Sequence, residues 1–400
     1  MKNNIVVFVF LWTVCTSINA QEKTANPFSI KWDNGFKVEN ADKSIKLKFG
    51  GRIMYDMGFF SLNDEAETNG YTLKSSNGTE LRRARFFTSG TIYKNVDFKL
   101  QVDFAGGEVT LKDAFITLKK LPVGNLRVGH FKEPFRLEAL TSSKYFTFME
   151  RATLISMLDE RSSGAMLFDQ FSNKKMSWQI GVFRGADASS DKKVANGDYA
   201  VTARVAGLVL KEDQNLVHLG FGYSYRKPQE DHTYGYKVRP ETHISNKYIV
   251  TSVLDVDNIN LMNVEAAWVA NSFSLQGEFL KAKVNAFVDQ DFSSYYLQAS
   301  YFITGEKRVY KNSLVGFGRV KPLKNFGDNG YGALQVALRY SYIDGLNSDQ
   351  MSNVTAGINW HLNPATRVMV NYVISNIENT TDYTGNGQFS AFQMRFQIDF

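Results

Sequence analysis

The sequence predicts an all-β fold: a transmembrane antiparallel β-barrel of about 16 strands with an inward-folded third loop. Three observations lead there. Apolar and polar residues alternate with a period of two along most of the chain, and after residue 20 no apolar run approaches the ~20 residues a membrane helix needs. The apolar positions are strongly aromatic, with 31 Phe and 19 Tyr, too much apolar surface for a disordered chain. The opposite face carries long charged side chains, as the lining of a water-filled lumen would. The single cysteine is Cys15, so no disulfide is available to staple a secreted soluble sheet. In a bilayer every backbone polar group must be paired, and the β solution to that demand is a closed barrel.

Residues 1–20 read as a secretory signal peptide. Lys2 gives the positive end, Ile5–Trp12 the apolar core, and Ala20 the small residue before Gln21. Residues 21–43 form a polar lead-in with a turn at Asn34-Gly35. The barrel is assigned to residues 44–400. Its clearest strand is Val96–Phe104, where Phe98, Leu100, Val102 and Phe104 share one face, and Asp97, Lys99, Gln101 and Asp103 the other. Ser44–Phe60 sets Ile53, Tyr55, Met57 and Phe59 against Lys46, Lys48, Arg52 and Asp56. Leu216–Arg226 sets Leu219, Phe221, Tyr223 and Tyr225 against His218, Ser224 and Arg226. The last strand alternates Phe392, Met394, Phe396, Ile398 and Phe400 with Arg395 and other polar residues. Asn69-Gly70, Asn77-Gly78, Asn329-Gly330, Asp344-Gly345 and Asn386-Gly387 read as turns between strands.

Residues 132–162 interrupt the alternation. The stretch is too long for a hairpin turn and too apolar for a solvated loop. Its simplest place is inside the lumen, as a constriction. Alternation places Lys46, Lys48, Arg52, Arg83, Arg85, Lys99, Arg226, Arg339 and Arg395 on the lumen side. Arg82 and Arg83 are adjacent, so in a regular strand only one can face inward, and the other must sit at a strand end or a bulge.

Nothing supports an enzyme. The five histidines (His130, His218, His232, His243 and His361) stand in no nucleophile motif, there is no Gly-x-Ser-x-Gly, and no spacing suggests a metal or other cofactor. No basic-aromatic motif for nucleic acid occurs outside strands. The formal charge of +6 favours anionic partners only weakly, so the placement of the charges matters more than their sum. The polar loop at 228–258 is long enough to be external and met by a partner.

The run Arg127-Val128-Gly129-His130-Phe131-Lys132-Glu133-Pro134-Phe135, then Thr141-Ser142-Ser143 and Phe148-Met149-Glu150-Arg151, resembles the phosphate-selective porin O/P family. Leu81-Arg82-Arg83-Ala84-Arg85, Lys112-Asp113-Ala114-Phe115 and Asn359-Trp360-His361-Leu362-Asn363-Pro364 match in the expected order, and the resemblance spans roughly residues 44–400. It implies a 16-stranded, multi-pass barrel in the outer membrane of a Gram-negative bacterium, in contact with its lipid, usually a homotrimer, passing small phosphate-like anions by diffusion. A last amphipathic strand ending in an aromatic, Phe400, is what outer-membrane barrels typically offer to the barrel-assembly machinery. By the same resemblance the eyelet consists of Arg82, Arg83, Asp113, Ser142, Ser143 and Arg151. One position departs: family members can carry a lysine three residues before the first serine, where this chain has Ala139. Lys144 lies near but out of register, and is placed with the pore-lining residues. Two other functions stay open, a general-diffusion porin without strong anion preference, suggested by Glu133, Glu138 and Glu150 on the loop, and a plugged structural barrel.

Overall fold

The structure is a computed structural model that describes residues 27–185, 197–229, 232–379 and 381–400. The signal peptide assigned to residues 1–20 lies outside them. The lead-in folds as a hairpin, β1 (Phe28–Trp32) and β2 (Phe36–Asn40), turning through Asp33-Asn34-Gly35 with Asn34 and Gly35 at positive φ (49° and 129°). This hairpin pairs onto the first residues of β3 (Lys46–Leu62). Along the chain follow β4 (Asn77–Ile92), β5 (Val96–Asp103), β6 (Thr110–Leu121), β7 (Gly124–Lys132), β8 (Arg161–Phe171), β9 (Met176–Arg184), β10 (Gly197–Lys211) and β11 (Asn215–Gln229). A short hairpin comes next, β12 (Tyr234–Val238) and β13 (Ile249–Val253). Then come β14 (Val256–Ala270), β15 (Phe273–Ala286) and β16 (Gln290–Phe302), a second short hairpin, β17 (Tyr310–Asn312) and β18 (Gly316–Phe317), and finally β19 (Ala333–Asp344), β20 (Gln350–His361), β21 (Thr366–Asn379) and β22 (Gly385–Asp399).

Without the three hairpins, sixteen strands form one antiparallel barrel. It closes where β22 pairs β3, from Phe389↔Leu62 to Asp399↔Arg52, and the Phe400 carbonyl accepts from Gly51 N at 2.7 Å. Closure leaves no unpaired edge in the bilayer. Alternation sorts the faces as the sequence predicts. Ile53, Phe59, Leu100, Leu219, Phe221, Phe392 and Phe396 are exposed toward lipid, whereas Arg52, Asp56, Gln101, Asp103, His218 and Arg395 are buried inside. Two predicted turns are not turns: Asn77-Gly78 opens β4, and Asn386-Gly387 lies in the first residues of β22.

Outer-membrane barrels carry short turns on the periplasmic side and longer loops outside. By that rule the connections 63–76, 133–160 and 230–255 mark the outer end. The first begins with α1 (Asp64–Thr68), capped by Asn63, whose side chain accepts from Ala66 N at 3.0 Å. The 228–258 segment is not an external polar loop. Its β12–β13 hairpin turns into the barrel, where Tyr234, Tyr236, Val238, Ile249 and Val253 pack on the inward faces of Val256, Ile259, Leu280, Val284 and Phe292. The outer half of the lumen beside β14–β22 is therefore an apolar plug rather than water. The open passage is displaced to the β3–β9 side.

Candidate functional site

Two segments narrow that passage. The third loop, residues 133–160, joins β7 to β8 and holds α2 (Leu137–Leu140) and two 3-10 turns, Ser143–Tyr145 and Thr153–Met157. Arg136 donates to the carbonyls of Leu154 (3.2 Å) and Leu158 (2.7 Å), which ties the two halves of the loop together. Across the barrel the Glu278 carboxylate accepts from Leu137 N (2.6 Å) and Glu138 N (2.8 Å), clamping the loop to β15. The second segment, residues 303–332, is a long turn on the periplasmic side whose β17–β18 hairpin folds up into the lumen. Arg204 donates to Ser313 O at 3.0 Å, and Tyr310 Oη lies 2.8 Å from His218 Nδ1. The two segments touch where Thr141 Oγ1 donates to Val315 O at 3.3 Å. Gly316 is at φ 77°, and a Cβ there would come within 2.4 Å of Leu137 Cδ1, so only glycine permits this approach.

The cavity between them and the wall has a volume of about 690 Å³. Thirteen cations line it: Lys48, Arg52, Arg83, Arg85, Lys99, Arg127, Lys132 and Arg161 from the strands, Lys144 and Arg151 from the third loop, and Lys311, Arg319 and Lys321 from the lower turn. Three carboxylates oppose them, Asp33, Asp113 and Glu160. Asp113 bridges Lys99 (2.5 Å) and Arg161 (3.0 Å). Asp103 holds Arg85 at 2.6 Å. Glu160 meets Lys132 (3.3 Å), Arg161 (3.5 Å) and Arg151. Burial alone would raise the Glu160 carboxyl, but Arg151, Lys132 and Arg161 outweigh it and hold it well below the usual carboxylate range.

Arg52 is different. Among the described residues no carboxylate pairs with it. It donates to Ser143 Oγ at 2.5 Å and is 3.4 Å from Ser142 Oγ. Its Nε is buried without a partner. A buried guanidinium with only hydroxyl partners keeps its positive field, and its Nη2, with no protein hydrogen bond among the described residues, is left to meet an anion. Lys144 stands on the same 3-10 turn as Ser143, 3.4 Å from Asp399 and 5.4 Å from the Phe87 ring centre. Burial lowers its ammonium to about 7, against the opposing pull of Asp399.

The predicted eyelet residues are partly brought together. Asp113, Ser142, Ser143, Arg83 and Arg151 reach the cavity, as do Lys48, Arg52, Arg85, Lys99 and Lys144. Arg82 and Arg83 both face inward, because the register between β3 and β4 shifts at Met54/Tyr55, a β-bulge that opposes two residues to one. Arg82 is spent on the loop, its fork meeting Glu150 at 2.8 and 2.9 Å. Arg151 lines the cavity, but it donates to the carbonyls of Glu138 (2.9 Å) and Ala139 (3.2 Å) and pairs with Glu160. Lys46 lies outside the cavity, at the periplasmic rim by the hairpin. Arg226, Arg339 and Arg395 point inward but do not line the passage. Each is sealed in an ion pair behind the loops, Arg226 with Glu133 (2.9 Å), Arg339 with Glu241 (3.1 Å) and Arg395 with Asp56 (2.6 Å) and Glu150 (2.8 Å).

Sequence reasoning missed Arg127, Lys132, Arg161, Lys311, Arg319 and Lys321. Arg127 could have been found, since it alternates with Phe131 on the inward face of β7. The lower turn has no period to betray it. Among the described residues no group of three or more His, Cys, Asp and Glu side chains could hold a metal ion.

A closed sixteen-stranded barrel narrowed by an inward third loop and a basic passage defines a porin of the Gram-negative outer membrane, not an enzyme. Residues 47–400 match the model of the family described as phosphate-selective porin O and P, and the chain belongs to that family. It is similar to Porin O of Pseudomonas aeruginosa, 28% identical over 426 residues that cover 93% of this chain and 92% of that one. In fold it is similar to an anion-selective porin from Comamonas acidovorans (TM-score 0.56, 12% identity, covering 88% of this chain and 100% of that one). It is also similar to the outer membrane channel DcaP of Acinetobacter baumannii (TM-score 0.57, 10% identity, covering 89% and 98%).

Proposed function

We propose that this porin is anion-selective and that phosphate-like oxyanions bind transiently at Arg52, Ser142 and Ser143. The observation that carries the reading is Arg52, a buried lumen guanidinium with hydroxyl partners and no carboxylate, in a passage where cations outnumber acids thirteen to three. An anion entering a narrow pore sheds part of its water, and fixed donors must replace it. A guanidinium fork matches two oxyanion oxygens, and serine hydroxyls add donors without adding charge. The paired cations, such as Lys99 and Arg161 on Asp113, focus the field without trapping the ion. The family description and the name of the Comamonas neighbour point the same way. A homotrimeric assembly and recognition of Phe400 by the barrel-assembly machinery belong to the same reading.

The test is conductance of the refolded protein in a planar bilayer under a potassium chloride gradient, with phosphate then titrated in. The expected result is a reversal potential on the anion side and block by phosphate. Cation preference overturns the proposal. The apolar plug formed by β12–β13 gives weight to a second reading, a closed structural barrel, which predicts no current at all.

A further inference from the structure

Around the cavity the wall changes character strand by strand. On β3–β5 it is basic, carrying Arg52, Arg85 and Lys99. On β6–β8 four inward positions are apolar, Phe115, Phe131, Met166 and Phe168, and they stand beside Asp113, Arg127, Lys132 and Arg161. The last three are buried in an apolar cluster, while Phe115 and Leu314 of the lower turn are only partly covered and keep apolar surface open to the passage. Arg127 emerges through this wall. Its guanidinium carbon lies 4.2 Å from the Phe115 ring centre, 5.0 Å from Phe168 and 5.4 Å from Phe131. Its Nε donates to Thr117 Oγ1 at 3.1 Å, and among the described residues its two terminal nitrogens have no protein partner. A hydrated inorganic anion gains nothing from such a wall, which would only deprive it of water contacts. An anion with a flat apolar body gains on both sides. Its charged end meets Arg127 and the basic strands, and its ring covers Phe115 and Leu314.

We infer that the passage takes aromatic phosphomonoesters in preference to inorganic phosphate, the ring lying on Phe115 and Leu314 and the phosphate on Arg127 and the facing basic wall. The inference rests on the anion-porin reading above and sharpens it. The test uses the refolded full chain in a planar bilayer, with chloride current blocked in turn by inorganic phosphate, methyl phosphate and phenyl phosphate, at a pH where all three are dianions. Phenyl phosphate is expected to block at a concentration about fivefold to tenfold below that of methyl phosphate, the gain of one well-placed ring contact. Leu314→Ser, on a turn outside the barrel ladder, is expected to shrink that gap and leave block by inorganic phosphate unchanged. Equal block by all three anions overturns the inference and leaves the anion porin standing. No block by any of them overturns both.

Discussion

Replacing Arg52 with Gln removes a lining cation that has no carboxylate partner among the described residues and that donates to Ser143. A bound oxyanion about 4 Å from the guanidinium gains a Coulomb attraction of about 4 kcal/mol at an effective dielectric near 20, part of which is offset by desolvation. Hydrogen bonds to charged groups contribute a net of about 1.5–3 kcal/mol, and this narrower range is the better guide to the whole effect. Each 1.4 kcal/mol is tenfold, so block by phosphate should weaken by about 10–150-fold in Arg52→Gln. Twelve other cations still line the cavity, so the reversal potential should keep its sign. Arg52→Lys keeps the charge but not the planar guanidinium, whose Nη1 reaches both Ser143 and Ser142, and its block should fall between the other two. The assay is the phosphate concentration that halves the chloride current for the three proteins side by side. Unchanged block in Arg52→Gln refutes the reasoning, because the phosphate would then bind elsewhere in the passage.

Two further outcomes follow from neighbouring groups. Lys144 is lowered to about 7 by burial, so it is charged below that pH and neutral above it. Anion preference, read as the chloride reversal potential, should therefore decline between about pH 6 and pH 8.5, and Lys144→Arg should flatten the profile; an equally steep decline in Lys144→Arg would assign it to another group. Arg226 and Glu133 form a pair sealed away from the passage. Arg226→Met alone leaves a buried carboxylate and should cost about 3–5 kcal/mol in a denaturant titration, whereas Arg226→Met with Glu133→Leu should recover most of that loss and leave the reversal potential where it was.

The parts of this structure that were legible in the sequence are those set by local periodicity. Alternation over Val96–Phe104 and Ser44–Phe60 gives the strands and tells which side chains face the lumen, because a period of two leaves only two faces. The break at 132–162 reveals the third loop for the same reason. Alternation cannot say what an inward side chain meets. Arg339 is neutralised by Glu241, which lies 98 residues away, and Arg395 by Asp56, 339 residues away. Only closure of the barrel and the path of the loops bring these pairs together. The β12–β13 hairpin hides its apolar stripe, Tyr234, Tyr236 and Val238, in five residues flanked by polar ones. The lower turn carries Lys311, Arg319 and Lys321 into the passage with no hydrophobic period at all. The bulge at Arg82 is a register event between two strands. From the adjacency of two arginines one sees that something must give, but not that both then face inward.

The most direct test of the central claim is to locate the anion. Crystals of the protein grown with arsenate, a phosphate analogue with a usable anomalous signal, should show a peak within hydrogen-bond reach of the Arg52 guanidinium and the hydroxyls of Ser142 and Ser143. Anomalous density confined to other sites, such as the exposed lysines of the hairpin and the lower turn, with none at Arg52, would contradict it.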